Sequence, residues 1–124
     1  MQEAYIKIAY YPGWDAGYVK EELDALRNDG QRIKAAVRID ADINKLGFSW
    51  PHFHTMNITV KSMSGYQPLM ELQREVQNIA YRVFFCVKND TIWLLHFIEK
   101  KSQKTPRADV ILAHSRMLDV LKRF

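Results

Sequence analysis

The stretch Tyr81-Arg82-Val83-Phe84-Phe85-Cys86-Val87-Lys88-Asn89-Asp90-Thr91-Ile92-Trp93-Leu94-Leu95-His96-Phe97-Ile98 decides the fold. Tyr81, Val83, Phe85 and Val87 alternate with Arg82, Phe84, Cys86 and Lys88, the period of two that puts successive side chains on opposite faces of a strand. Asn89-Asp90 is a pair that tolerates the left-handed backbone of a two-residue hairpin turn, and Thr91 to Ile98 is almost wholly apolar, as a buried strand is. Before this hairpin, Met70, Leu72 and Val76 alternate with Glu71, Gln73 and Glu75, which predicts a third strand turned by Gln77-Asn78.

Working outward, Ala4 to Tyr11 alternates as a first strand that Pro12-Gly13 stops. The period then changes: Val19, Leu23 and Leu26 share a helical face, Asn28-Asp29-Gly30 breaks it, and Ala36, Ile39, Ile43 and Leu46 mark a second helix with Gly47 at its expected stop. Phe48 to Gln67 reads as a long loop with a short extended piece at Met56 to Lys61. Thr105-Pro106 supplies an N-cap and a first helical residue for a last helix striped by Val110, Ala113, Met117, Leu121 and Phe124. The expected fold class is α+β, a small antiparallel or mixed β-sheet with an N-terminal helical hairpin and a C-terminal helix, the helices on one face. The 124 residues are too few for two ordinary cores, so residues 1–124 are expected to form one domain.

At 48% hydrophobic and 26% charged residues, the composition excludes a disordered or fibrous chain. Cys86 is the one cysteine, so no internal disulfide forms and a reducing compartment fits. The N-terminus lacks the basic and apolar regions of a signal peptide, and Arg82 and His96 interrupt the longest apolar runs, which fall short of the roughly 20 residues that span a bilayer. A cytoplasmic location is expected. Net charge is +4, and it is lopsided: residues 1–60 carry seven Lys/Arg against eight Asp/Glu, residues 61–124 eleven against six. A basic half of this kind suits a polyanionic partner.

The two turns set the faces. They place Gln73 opposite Arg82, Arg82 opposite Phe97 and Val83 opposite His96. Glu71, Gln73, Glu75, Arg82, Phe84, Trp93 and Phe97 then share one face, while Met70, Leu72, Val83, Phe85, Leu94, His96 and Ile98 share the other and form the better core. An arginine in mid-strand needs a partner. Arg82 either pairs with Glu71 or Glu75, or stands on an open face where its guanidinium fork suits a phosphate. The run from Glu99 to Arg107 holds Lys100, Lys101, Lys104 and Arg107 against Glu99 alone, at the start of a helix whose amides favour anions; it is either a solvated loop or a phosphate-binding one. His52-x-His54 lacks a matching third ligand, so no metal is expected. His96 is expected to be a hydrogen-bonded core histidine. No nucleophile elbow, phosphate-binding loop or dinucleotide fingerprint is present, and no cofactor is expected.

The run Trp93-Leu94-Leu95-His96-Phe97-Ile98-Glu99-Lys100-Lys101-Ser102-Gln103-Lys104-Thr105-Pro106 resembles the HigB-like branch of the RelE/ParE toxin superfamily, whose members are often described as phage-derived. Such proteins carry a strand ending in Leu-His-x-Phe, a Lys-Lys-x-x-Lys-Thr-Pro loop and a helix. Val60-Lys61, Leu69-Met70-Glu71-Leu72 and Tyr81-Arg82-Val83 agree in order, and the resemblance covers residues 16–124. It implies a RelE-like toxin of a type II toxin–antitoxin system: a metal-independent endoribonuclease, or mRNA interferase, that cleaves mRNA on the ribosome and inhibits translation. A helix-turn-helix antitoxin would neutralise it, and operator DNA would be bound through that complex. A ParE-like gyrase inhibitor, or a non-catalytic module that binds nucleic acid or a partner, are the alternatives. Carried over by position, Arg82, Lys61, Lys101 and Glu71 would be catalytic, and Lys100, Lys104, Arg107 and Gln73 would bind RNA. Gln73 stands where the family's Glu-Leu-Arg pattern has arginine, and Arg74 beside it is expected to point to the other face.

Overall fold

A computed structural model describes residues 6–100 and 106–124. Three short strands come first, β1 (Lys7–Tyr10), β2 (Pro12–Gly13) and β3 (Ala16–Gly17), followed by α1 (Tyr18–Arg27) and α2 (Ile33–Ser49). A 3-10 turn at Phe53–Met56 leads into β4 (Thr59–Ser62), β5 (Met70–Val76), β6 (Ile79–Lys88) and β7 (Thr91–Lys100), and α3 (Arg107–Arg123) ends the chain. The helical pair therefore follows strands and is not the N-terminal unit. The fold is mixed α+β, with a five-stranded sheet in the order β1-β7-β6-β5-β4. β1 runs parallel to β7, and the remaining neighbours are antiparallel. Ala4 and Tyr5 of the expected first strand, and the expected cap Thr105, lie outside the described residues; Pro106 holds the N-cap position and Arg107 is the first helical residue.

Both expected turns form, with φ of 52° and 67° at Gln77 and Asn78 and of 50° and 62° at Asn89 and Asp90. Positive φ at both central residues matches the twist of the flanking strands, so each turn fixes a register. β5 and β6 pair as expected, Gln73 opposite Arg82 and Leu72 opposite Val83. β6 and β7 also pair as expected near their turn, from Lys88 opposite Thr91 to Phe85 opposite Leu94. Beyond it a bulge intervenes: the next pair is Phe84 opposite His96, leaving Leu95 as the extra residue. A bulge changes the phase of everything after it. Arg82 consequently faces Ile98, and Val83 faces Phe97, one position away from expectation. His96 and Ile98 turn to the Arg82 face, while Phe97 joins the opposite core.

The helices occupy both faces, not one. On the first, Leu72, Val83, Phe85, Ile92, Leu94 and Phe97 pack against Val19, Leu23, Ile39, Ile43 and Leu46 of α1 and α2. On the second, Phe84, Cys86, Trp93 and Leu95 pack against Val110, Ala113, Met117 and Val120 of α3, so Trp93 lies in a core where an open face was expected. Each fully buried large side chain contributes about 1.5–3 kcal/mol. Gly47 does not stop α2, which continues to Ser49. It lets β1 approach: Ile6 N–H donates to its carbonyl at 3.2 Å, and a Cβ there would lie 3.1 Å from Ile8 Cδ1. Trp50 stacks on Phe53 and meets Phe85 edge-on, so this part of the expected loop is tied to the first core.

Candidate active site

α3 packs on β7 and β6, and the same sheet face carries polar side chains toward β5 and β4. Alternation brings them together: Gln73 pairs with Arg82 across β5 and β6, while Thr59 pairs with Gln73 and Lys61 with Glu71 across β4 and β5. The result is a cleft of about 190 Å³ lined by Thr59, Gln73, Arg74, Glu75, Ala80 and Arg82. Of the residues singled out from the sequence, Arg82, Glu71, Gln73 and Lys61 thus share one face. Lys100 ends β7 opposite Ala80 of the cleft wall, and Arg107 is exposed at the start of α3. Lys101 and Lys104 lie outside the described residues.

Arg82 is not in open solvent. Its side chain is 4% exposed and that of Glu71 3%, with Arg82 Nη1 3.6 Å from Glu71 Oε2. The ion pair with Glu71 is the alternative that forms. Gln73 Nε2 donates to the other oxygen, Glu71 Oε1, at 2.5 Å. The residue in the place of the pattern's arginine therefore holds the carboxylate that faces Arg82. Lys61 is exposed beside them. Arg74 points to the opposite face as expected, where its Nε and Nη2 each donate to the buried Asp42 of α2 at 2.7 Å.

One pair was not foreseen. His96, carried by the bulge to this face, lies nearly parallel to the Phe84 ring at 5.9 Å, and its Nε2 is 2.7 Å from Asp109 Oδ1 in the first turn of α3. In the neutral ring, a carboxylate that accepts from Nε2–H leaves the lone pair on Nδ1. The imidazole is 12% exposed, which leaves it an edge to solvent. The sequence carries no signal for this placement, because Ile92 to Leu95 is wholly apolar and nothing marks the extra residue.

Other candidates lie elsewhere. Burial pushes the Cys86 thiol up to about 12, so it is no nucleophile near neutrality. His52 and His54 meet edge-on at 6.3 Å on the 3-10 turn, and among the described residues no group of three or more His, Cys, Asp or Glu gathers to hold a metal. No helix among those residues is long and apolar enough to cross a membrane.

Residues 21–118 match the family described as phage-derived protein Gp49-like (DUF891), which spans well over half of the chain. The chain belongs to this Gp49-like family, which is of the RelE/HigB-like toxin–antitoxin kind. That membership implies an antitoxin partner. No curated protein and no solved structure matches the chain.

Proposed function

We propose that this chain is a HigB-like toxin of a type II toxin–antitoxin pair, with a RelE-like fold acting as one domain in the cytoplasm, and that it cleaves mRNA on the ribosome. The observation that carries the reading is that Lys61, Glu71, Gln73 and Arg82 share one face of the sheet, beside a cleft that Gln73 and Arg82 line, in a chain of this family. The chemistry is transfer within the RNA strand. A ribose 2′-oxygen attacks the adjacent phosphorus, the bond from phosphorus to the 5′-oxygen breaks, the 2′-hydroxyl proton leaves to a base and the 5′-oxygen gains one. The products are a 2′,3′-cyclic phosphate and a 5′-hydroxyl, and the reaction as written uses no cofactor.

Arg82 is the phosphate clamp, exchanging the Glu71 carboxylate for phosphate oxygens and stabilising the charge that builds on them. Lys61 adds a mobile cation at the open side, and Lys100, Lys101, Lys104 and Arg107 hold the flanking strand. Once released, Glu71 is one candidate base; His96, oriented by Asp109, is the second proton-transfer candidate.

Expression of the chain alone, with mapping of mRNA 5′ ends, tests this. Growth arrest with new 5′-hydroxyl ends inside translated reading frames is the expected result, and a Glu71→Gln/Arg82→Gln variant should give neither. Arrest with DNA breaks and intact mRNA would assign a gyrase target instead. Absence of arrest would leave a binding module.

A further inference from the structure

We propose that Arg116 of α3 is a positioning residue: it fastens the bulge at Leu95 and thereby holds the His96 imidazole on Asp109. What this means for cleavage rests on the toxin reading above, whereas the placement of the imidazole does not.

His96 reaches the Arg82 face because Leu95 is the extra residue of β7. Nothing in the run Ile92-Trp93-Leu94-Leu95 favours that residue over its neighbours, since all four are apolar and all are buried. A slip of one residue turns every side chain beyond it to the opposite face. In the unbulged register His96 would oppose Val83 and enter the core beneath α1 and α2. The selection of the bulge therefore comes from outside the strand, and two contacts supply it. Tyr11 N–H donates to the Leu94 carbonyl at 3.0 Å, and Arg116 Nη1 donates to the Leu95 carbonyl at 2.8 Å. Leu95 is fully buried, so a carbonyl left there without a donor would be costly. The planar peptide ties that carbonyl to the N–H of His96, so fixing one orients the other.

The guanidinium is itself held in place. Its carbon lies 4.1 Å from the centre of the Tyr18 ring and 6.0 Å from that of Tyr11, within reach of the attraction between a cation and a ring face. The Tyr11 hydroxyl in turn donates to Asp119 Oδ2 of α3 at 2.7 Å. Arg116 forms no ion pair among the described residues, and its guanidinium serves the backbone instead. Asp109 and Arg116 stand two turns apart on α3, about 10.5 Å along the same side of the helix. One helix thus grips His96 twice, at the imidazole through Asp109 and at the preceding peptide through Arg116.

The test uses the full chain labelled with ¹⁵N-histidine, in which NMR shows the nitrogen that carries the proton and how fast that proton exchanges with water. In the parent the proton is expected on His96 Nε2. Arg116→Met keeps the apolar stem and removes the donors, and should speed that exchange by about tenfold or more. Arg116→Lys, which retains a cation and a donor, should return it to within roughly threefold of the parent. Arg123→Met removes the same charge from the same helix and should leave the imidazole signals unchanged. Tyr18→Leu, at a largely exposed position, decides the matter should Arg116→Met not fold: loss of the ring beneath the guanidinium should speed exchange by roughly threefold. An arginine that only braces α3 would lower the unfolding temperature and leave the imidazole as it is, so unchanged His96 signals in folded Arg116→Met, or in Tyr18→Leu, would overturn the proposal. Cleavage is scored separately. Arg116→Met should cost less than His96→Gln and should cost nothing more when added to it. A parent chain with the expected His96 signals and response that leaves mRNA intact would sink the toxin reading while upholding the role of Arg116.

Discussion

Two arginine–carboxylate pairs stand on opposite faces of β5 and β6, and they are built differently. Arg74 and Asp42 meet through two parallel bonds of 2.7 Å that join a strand to a helix, with Asp42 1% exposed. In the second pair Arg82 Nη1 lies 3.6 Å from Glu71 Oε2, both residues belong to the sheet, and Arg82 lines a cleft. The first geometry suits a rivet, since a bidentate pair is strong and a lone buried carboxylate is costly. The second suits a clamp, since a guanidinium held beside a carboxylate can exchange it for a phosphate. Sequence position does not separate the two roles, but the face of the sheet does.

The sharpest way to break this contrast is Asp42→Ala. It strands Arg74 against α2 and should lower unfolding stability by about 3–5 kcal/mol in urea titrations, as loss of one member of a buried pair does. Growth arrest should fail only to the extent that the protein unfolds. A change under 1 kcal/mol would mean that Arg74 is no rivet.

Next comes the clamp. Arg82→Ala leaves Glu71 buried without its guanidinium, so activity and stability are both expected to fall. Glu71→Gln/Arg82→Gln removes both charges, isosterically at Glu71 and with a shorter side chain at Arg82, and its stability should stay within about 1–2 kcal/mol of the parent. Cleavage should nonetheless disappear. A double variant as unstable as Asp42→Ala would make the two pairs equivalent.

His96 and Asp109 give a smaller effect. His96→Gln should cost about 10²–10⁴-fold in cleavage rate if the imidazole moves a proton, and Asp109→Asn less, because it only misorients the ring. A rate unchanged in His96→Gln would return this residue to a packing role. Lys61→Ala should weaken cleavage by less still, since several cations share the phosphate field.

The smallest effect lies on the covered part of the same face. Cys86, pushed up to about 12 from an ordinary thiol value of 9.0, keeps its proton when folded and loses it when unfolded. Above pH 9 the unfolded state binds fewer protons, so stability falls as pH rises from about 9 toward 12, by on the order of 1 kcal/mol at pH 10. The parent chain should lose that much more than Cys86→Ala between pH 8 and 10. An equal loss would show that the site beneath α3 is wet.

How much of this was legible follows from where the sequence keeps its phase. Gln77-Asn78 and Asn89-Asp90 announce their turns, so the placement of Gln73 against Arg82, and of Arg74 on the far side, could be read from the chain. The bulge at Leu95 could not, because in Ile92 to Phe97 nearly every residue is apolar and no polar marker shows which one is extra. That one residue moved His96 to the site and Phe97 to the core. The burial of Arg82 was hidden for a related reason: alternation shows which face a residue takes and not what covers that face. Asp109 lies thirteen positions beyond His96, a pairing that only the return of α3 across the sheet creates.

The most direct test of the central claim compares purified parent chain and Glu71→Gln/Arg82→Gln on ribosomes programmed with a defined mRNA, with the ends of the fragments mapped. The account predicts cleavage by the parent, giving a 2′,3′-cyclic phosphate and a 5′-hydroxyl, and an intact message with the folded double variant. Equal cleavage by both proteins, or fragments ending in 3′-hydroxyl and 5′-phosphate, would contradict it.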